Sequence, residues 1–261
     1  MKITLFTANQ RRHNFLINEL SKVCDELFVV QESRTIFPGV KKGHYKKSKL
    51  MTRYFENVIN AEIKIFNHTF IEGKNKNINL IPLVNGDLND LTLKDLSDFL
   101  NSDLYIVFGS SFIKGDLVKF LIEKKAINIH MGISPYYRGT DCNFWALYDN
   151  NPHLVGATIH MLSKGIDSGQ MLYHAISDIK KDPFEYTMST VKAAFISIVE
   201  KIKNKTLLDI KPTTQNKKFE IRYSKAIDFN DNILENFFKK KINLEKKFDF
   251  SKLKDSFILE K

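Results

Sequence analysis

The 261-residue chain has no run of about 18 uninterrupted apolar residues, the length a membrane-spanning helix needs. Its opening, MKITLFTANQRRHNF, lacks both the apolar stretch and the small-residue cleavage site of a signal peptide. Both absences point to a cytoplasmic protein with no membrane partner. Cysteine is scarce. Cys24 and Cys142 are far apart and in no metal-ligand spacing, so neither a disulfide framework nor a zinc knuckle is indicated, and no metal site is expected. There are no internal repeats, and no low-complexity segment beyond lysine and asparagine enrichment.

What is present is a chain with 43% hydrophobic residues, enough to fill a real core, and a formal charge of +10. Such a charge raises the question of nucleic acid, because Lys and Arg neutralise phosphates and release counterions. The lysines, however, are scattered through KKSKL, KNKNINL, KIKNKT and FFKKKINLEKKF, with no basic stripe carrying interleaved aromatics. A solvated lysine surface is the expected reading, and a nucleic-acid partner is not.

Short apolar runs alternate with longer mixed stretches, the pattern of a mostly parallel sheet with flanking helices, an α/β fold. Strands are expected at 2–8, 26–31, 78–84, 103–109 and 126–132. Helices are expected over RHNFLINELSKV, KSKLMTRYFENVINAEIKIF, TLKDLSDFLN and FIKGDLVKFLIEKK. A helix over CNFWALYDN, strands over LVGATIHML and QMLYHAISDI, and a helix from Pro183 to Lys205 follow, the last opened by Asp182-Pro183. From there the texture changes to a polar linker, KPTTQNKK, and a short tail. The division expected is residues 1–205 as the main domain and 206–261 as a small packing or dimerising appendage, with ILENFF as a possible homodimer surface.

The fifth apolar run ends in Asn128-Ile129-His130. Side chains alternate along a strand, so Asn128 and His130 share a face. In open parallel sheets ligands bind outside the strands' carboxyl ends. Gly132, Pro135 and Gly139 then let the SPYYRG backbone turn around the mouth of that space, bringing Tyr137 and Arg138 to the acceptor side. A second stretch, VGATIHMLSKGIDSGQMLYH, holds Asp167 between Gly165 and Gly169. If Asp167 meets His130, it stabilises the imidazolium. Together the three suit attack of an amine on an acyl carbon. Asn128 and His130 would donate to the developing oxyanion, and Asp167 would help remove the amine's proton. Singly, each residue could as well be structural.

These two stretches resemble the formyltransferase family that uses 10-formyltetrahydrofolate. The matching residues are N-I-H at 128–130, S-P-Y-Y-R-G at 134–139, W-A-L at 145–147 and G-A-T-I-H…G-I-D-S-G-Q-M at 156–171. The resemblance runs from about Tyr105 to His174 and is diffuse before that. It implies a Rossmann-like fold, 10-formyltetrahydrofolate as donor, and Asn128, His130 and Asp167 as catalytic residues. It further implies that the donor's pterin is held by Phe108, Gly109, Ser110, Ser111 and Phe112, with Leu162, Ser163, Gly165 and Ile166. His160 falls where some family members also carry a histidine, with a structural role equally open. Where relatives have Pro followed by Ser-Leu-Leu-Pro after the histidine, this chain has Met131-Gly132-Ile133-Ser134-Pro135, which bears on the shape of the amine-binding side.

The acceptor expected is a small molecule, a nucleotide-linked amino sugar for surface polysaccharide. Relatives acting on initiator tRNA carry a sizeable C-terminal barrel, for which the roughly fifty residues after the linker are too few. A formyl-folate hydrolase would carry an N-terminal regulatory domain. Glycinamide ribonucleotide enzymes have a Gly-rich turn after the first strand, where this chain has TANQRRHN without glycine. Arg11, Arg12 and His13 there are candidates to grip an anionic group, and GHYKKSKLMTRYFENVINAE, with Arg53, Tyr54 and Phe55 on a helix, is a candidate lid, although core packing is the favoured reading of its aromatics. The alternatives are formylation of another amine (glycinamide ribonucleotide or methionyl-tRNA) or a catalytically idle binding module of the same fold. A basic nucleic-acid-binding protein is a third.

Overall fold

The computed structural model describes residues 1–41, 43, 45–73, 75–244 and 250–259. Lys42, His44 of the candidate lid, Lys74 of the KNKNINL stretch, and residues 245–249 and 260–261 of the C-terminal appendage lie outside the described residues. In chain order the regular elements are β1 (Lys2–Ala8), α1 (Arg11–Ser21), β2 (Glu26–Ser33), α2 (Lys49–Phe66), β3 (Ile78–Val84), β4 (Leu104–Phe108), α3 (Gly115–Glu123) and β5 (Ile127–His130). Then follow β6 (Tyr137–Gly139), α4 (Cys142–Tyr148), β7 (Ala157–Met161), β8 (Met171–Ser177), α5 (Pro183–Lys203), β9 (Arg222–Ser224), α6 (Asp231–Lys239) and β10 (Phe257–Leu259).

The main sheet has the order β10-β8-β7-β5-β4-β1-β2-β3. β3, β2, β1, β4 and β5 run parallel, and β7 is antiparallel to both its neighbours. The central strands are buried on both faces, hence their near-continuous apolar runs. On one face Ile3 and Leu5 join Leu16, Ile17, Phe195 and Ile198 of α1 and α5; on the other Phe6 and Val107 join Leu117 and Leu121 of α3. Strand order reverses between β1 and β4, which leaves a crevice at their carboxyl ends.

Capping explains several helix starts. Ser48 accepts from Met51 N at the start of α2, and Asp182 accepts from Phe184 N and Glu185 N ahead of Pro183 in α5. α1 opens on two arginines, which a helix N-terminus disfavours. Buried Glu62 of α2 compensates, accepting from both the backbone N (3.0 Å) and Nη1 (2.9 Å) of Arg12.

One expected helix is absent. The TLKDLSDFLN stretch forms turns and a 3-10 segment, Ser97–Leu100. Asp95 accepts from Thr92 N and Oγ1, while Thr4 Oγ1 donates to Phe99 O and Tyr105 Oη donates to Leu100 O. The carbonyls that would continue a helix are thus taken by the neighbouring strands. The SPYYRG stretch, expected as a turn alone, includes β6, which pairs with β9.

The tail packs on the main body: β10 extends the sheet beside β8, and Leu234 and Phe237 of α6 are buried against Tyr54, Phe144 and Phe184. This corrects the reading of ILENFF as a dimer surface, because its apolar face is already covered within the chain. Tyr54 and Phe55 of the candidate lid belong to the same cluster, and Arg53 lies over the Phe238 ring at 4.3 Å. Its aromatics pack into the core while Arg53 stays exposed.

Candidate active site

A cavity of about 680 Å³ opens at the carboxyl ends of β1, β4 and β5. Asn128, His130 and Asp167 all line it, as do Phe108, Gly109, Ser110, Ser111, Phe112, Leu162, Ser163, Gly165 and Ile166. The structure therefore brings together the three residues expected to react and all nine expected to hold the donor.

Asp167 Oδ1 lies 3.3 Å from His130 Nδ1, 3.5 Å from Asn128 Nδ2 and 3.7 Å from His160 Nε2. Its Oδ2 accepts from Gly139 N at 3.2 Å. His130 Nε2 faces the Tyr137 carbonyl at 3.1 Å, so both ring nitrogens look at acceptors and both need a proton. Burial opposes that charge, but the Asp167 carboxylate outweighs it and lifts the His130 pKa well above the ordinary histidine value. Burial likewise works against ionised Asp167, and the facing imidazoles hold its carboxyl far below the usual range.

The strand register explains Asn128's other neighbour. β5 and β7 pair with Asn128 opposite His160, and Asn128 Nδ2 meets His160 Nε2 at 3.0 Å. His160 Nδ1 faces the Met161 carbonyl at 2.8 Å, which sets the tautomer with the proton on Nδ1. Opposite His130 stands Thr158, whose Oγ1 donates to Gly132 O and accepts from Ser134 N, tying down the turn after β5.

The Asp167 loop is held from outside by Arg138. Its Nε and Nη2 donate to the carbonyls of Asp167 and Ile166, and its Nη1 pairs with Glu220 at 2.8 Å. Gln215 Nε2 adds bonds to the Asp167 and Gly169 carbonyls. Asp167 itself has φ +45, and a Cβ on Gly169 would stand 1.7 Å from the Met161 carbonyl oxygen, so the loop takes this path only with glycine there.

Of the residues expected to bind acceptor, Arg12 lines this cavity and Arg11 an adjoining one of about 460 Å³, where Arg11 Nε is buried without a partner. His13 is 2% exposed, tilted against the Phe108 ring beside Gly109, and burial followed by the charges of Arg12 and Arg34 drives its pKa well below normal. It lines the cavity as a neutral wall and brings no positive charge to an anion. Tyr137 is fully buried, its hydroxyl in contact with Asp149 and Asn151, and Arg138 faces the Asp167 loop. Neither lines either cavity.

Residues that sequence reasoning passed over also shape the site. Arg34, Tyr45 and Asn85 line both cavities, and Asp141 lines the larger. Glu32, fully buried at the end of β2, accepts from Gly86 N and Ser111 N and so fixes the 109–112 loop. Its place at a strand's carboxyl end was the available signal; Gln215, in a segment with a linker's composition, offered none.

The family model for formyl transferase matches residues 69–202, which contain the whole cluster. A methionyl-tRNA formyltransferase from Finegoldia magna is 29% identical over 119 residues, 45% of this chain and 37% of that protein. The match thus takes in well under two thirds of that relative's length. A phosphoribosylglycinamide formyltransferase from Anaplasma phagocytophilum superposes with TM-score 0.51 at 15% identity, covering 79% of this chain and 86% of that one. An N-formyltransferase from Helicobacter canadensis, in complex with folinic acid and dTDP-3-aminofucose, does so with TM-score 0.51 at 16% identity, covering 91% of this chain and 79% of that one. At these identities the structural likeness is one of fold. Together with a family match over half of its residues, it means that the chain belongs to the formyl transferase family.

Proposed function

We propose that this chain is a cytoplasmic N-formyltransferase that moves the formyl group of 10-formyltetrahydrofolate to the amine of a small acceptor, and that the acceptor is a nucleotide-linked amino sugar for surface polysaccharide. The observation that carries the reading is the meeting of Asn128, His130 and Asp167 in one cavity with the 108–112 and 162–166 segments.

The residues present suit a folate. Gly109 stands at φ +72 among main-chain polar groups, and Phe112 and Ile166 are large apolar side chains left 51% and 41% exposed at the cavity, the contacts a flat ring system takes. When bound, the donor supplies an acyl carbon open to attack. Asn128 Nδ2 is a donor for the charge that grows on the formyl oxygen, and the His130 imidazolium supports it electrostatically from a buried position. Asp167 takes donors from His130, Asn128 and Gly139, and its carboxyl is held far below the usual range. In this reading it keeps His130 charged rather than taking the amine's proton, which passes through solvent to the folate nitrogen that gives up the formyl group, so that the exchange balances.

Support for a nucleotide-linked acceptor comes from Arg11, Arg12 and Arg34, which line the adjoining cavity with Asn9 and Asn85. Arg12 is shared with Glu62, leaving Arg11 and Arg34 for a phosphate, which a guanidinium fork binds well. The Helicobacter protein's complex with dTDP-3-aminofucose is consistent with such an acceptor on this fold.

The test is spectrophotometric release of tetrahydrofolate from 10-formyltetrahydrofolate in the presence of nucleotide-linked amino sugars, glycinamide ribonucleotide or charged initiator tRNA. Release stimulated by an amino sugar is expected. Stimulation by one of the others alone would replace the acceptor and keep the reaction, whereas no release together with no folate binding would remove the reaction.

A further inference from the structure

Asp141 opens α4, where an aspartate ordinarily turns its carboxylate onto the helix's first N–H groups. Here it does not. Its backbone is left-handed (φ +55) and its side chain makes no cap bond. Oδ1 instead accepts from Tyr45 Oη at 2.7 Å, and Oδ2 is buried with no hydrogen-bond partner. The preceding Thr140 Oγ1 is also buried and unpartnered, and Thr140, Asp141 and Tyr45 all line the larger cavity. Leaving a buried carboxylate oxygen without a protein hydrogen bond is costly, and a bound donor would relieve that cost.

We propose that Asp141 is the docking point for the acceptor's ammonium group, its free Oδ2 taking an N–H of the incoming amine while Tyr45 fixes Oδ1. The proposal rests on the reading that the acceptor is an amine formylated in this cavity. Asp141 stands two residues after Gly139, whose N–H binds Asp167, and one before Cys142, which lies beside His130 and feels the charges of both aspartates. Asp141 lines the same cavity as Asn128, His130 and Asp167, so an ammonium bound to it shares their space. Among the described residues no lysine or arginine is paired with Asp141. Burial already pushes its carboxyl up to about 6 against the opposing Tyr45 hydrogen bond, consistent with a carboxylate waiting for a partner. Asp167, by contrast, has donors on both oxygens. The two aspartates thus divide the work, one holding the histidine and the other the substrate.

The experiment is calorimetric binding to the full chain, with saturating tetrahydrofolate, of two matched pairs. One is dTDP-3-aminofucose against dTDP-fucose; the other is glycinamide ribonucleotide against its glycolamide analogue, each differing only in amine versus hydroxyl. The wild type is expected to prefer the amine in at least one pair by about 10-fold or more, the scale of a hydrogen bond to a charged group. Asp141→Asn, which keeps the shape and tolerates the left-handed backbone, is expected to lose that preference with tetrahydrofolate affinity unchanged. Tyr45→Phe removes the hydrogen bond that opposes the upward shift of Asp141 but leaves its carboxyl, so at pH 8, where that carboxyl is ionised, the variant is expected to keep the preference. A preference that survives in D141N, or that is absent from Y45F at pH 8, overturns the assignment. So does a wild type that shows no preference in either pair while binding tetrahydrofolate. Failure to bind tetrahydrofolate at all would instead strike the formyl-transfer reading on which the proposal stands, and the proposal with it.

Discussion

Asp167 Oδ1 lies 3.3 Å from His130 Nδ1, and the other nitrogen of that ring faces a backbone carbonyl, so the pair is a buried ion pair. The two shifts have opposite consequences for stability. His130, with its raised pKa, contributes fully below the unfolded histidine value of about 6.5, and the contribution is lost as pH rises through the folded value. Asp167, with its depressed pKa, contributes above the unfolded value of about 3.9, and the contribution fades as pH falls. The plateau lies between those two pH values. Asp167→Asn is expected to lower stability at pH 6 by about 3 kcal/mol, the scale for removing one partner of a buried pair. It should also lower the His130 pKa, because burial then loses its main opponent. Denaturation curves at a series of pH values, with NMR titration of His130, provide the check; a mutant whose stability profile runs parallel to the wild type above pH 6 would show that the pair is not its source. Turnover is expected to fall by about 10²-fold or more in this variant and in His130→Ala.

Asn128→Ala removes the amide that lies between Asp167 and His160. The expected loss is about 10²-fold in kcat, the cost of one oxyanion donor, with the KM for 10-formyltetrahydrofolate nearly unchanged. An unchanged kcat would assign Asn128 to holding His160 in place.

Much of this cluster was legible in the chain. Period-two alternation in N-I-H put Asn128 and His130 on one face, and the glycines around Asp167 marked a loop able to approach closely. The central strands were legible because burial on both faces leaves continuous apolar runs. The 92–101 segment was not, since its helical periodicity loses to hydrogen bonds from Thr4 and Tyr105, residues distant in sequence or on the next strand. Arg138 was noticed for the wrong reason. Its place in the SPYYRG turn suggested the acceptor side, whereas its guanidinium is spent on two carbonyls of a loop 28 and 29 residues away, a partnership with no local signature.

That partnership yields a prediction of its own. Arg138 holds two carbonyls and a carboxylate with three different nitrogens, and a lysine offers one compact charge in their place. Arg138→Lys is therefore expected to behave as a loss of function, lowering kcat by about 10-fold or more through a displaced Asp167. The His130 pKa should move down with it. Wild-type kcat with an unshifted His130 titration would mean that Gln215, which also grips the Asp167 carbonyl, holds the loop alone.

Gly139 ties the site to the tail. Its φ is +95, its N–H binds Asp167 Oδ2, and a Cβ there would stand 2.0 Å from the Ser224 carbonyl oxygen. That oxygen accepts from Thr140 N, and Gly139 faces Ser224 in the β6–β9 pairing. Backbone has no rotamer with which to escape, so Gly139→Ala must push β9 away and strain its own φ at once. The expected cost is about 2 kcal/mol or more of stability, together with loss of turnover, because the same movement withdraws the amide from Asp167. Thermal unfolding and kcat measured on one preparation separate the two effects. If the variant loses stability but keeps its rate, the Asp167 carboxylate is held well enough by His130 alone. If it keeps stability, β9 yields without cost and the β6–β9 pairing is not part of what supports the site.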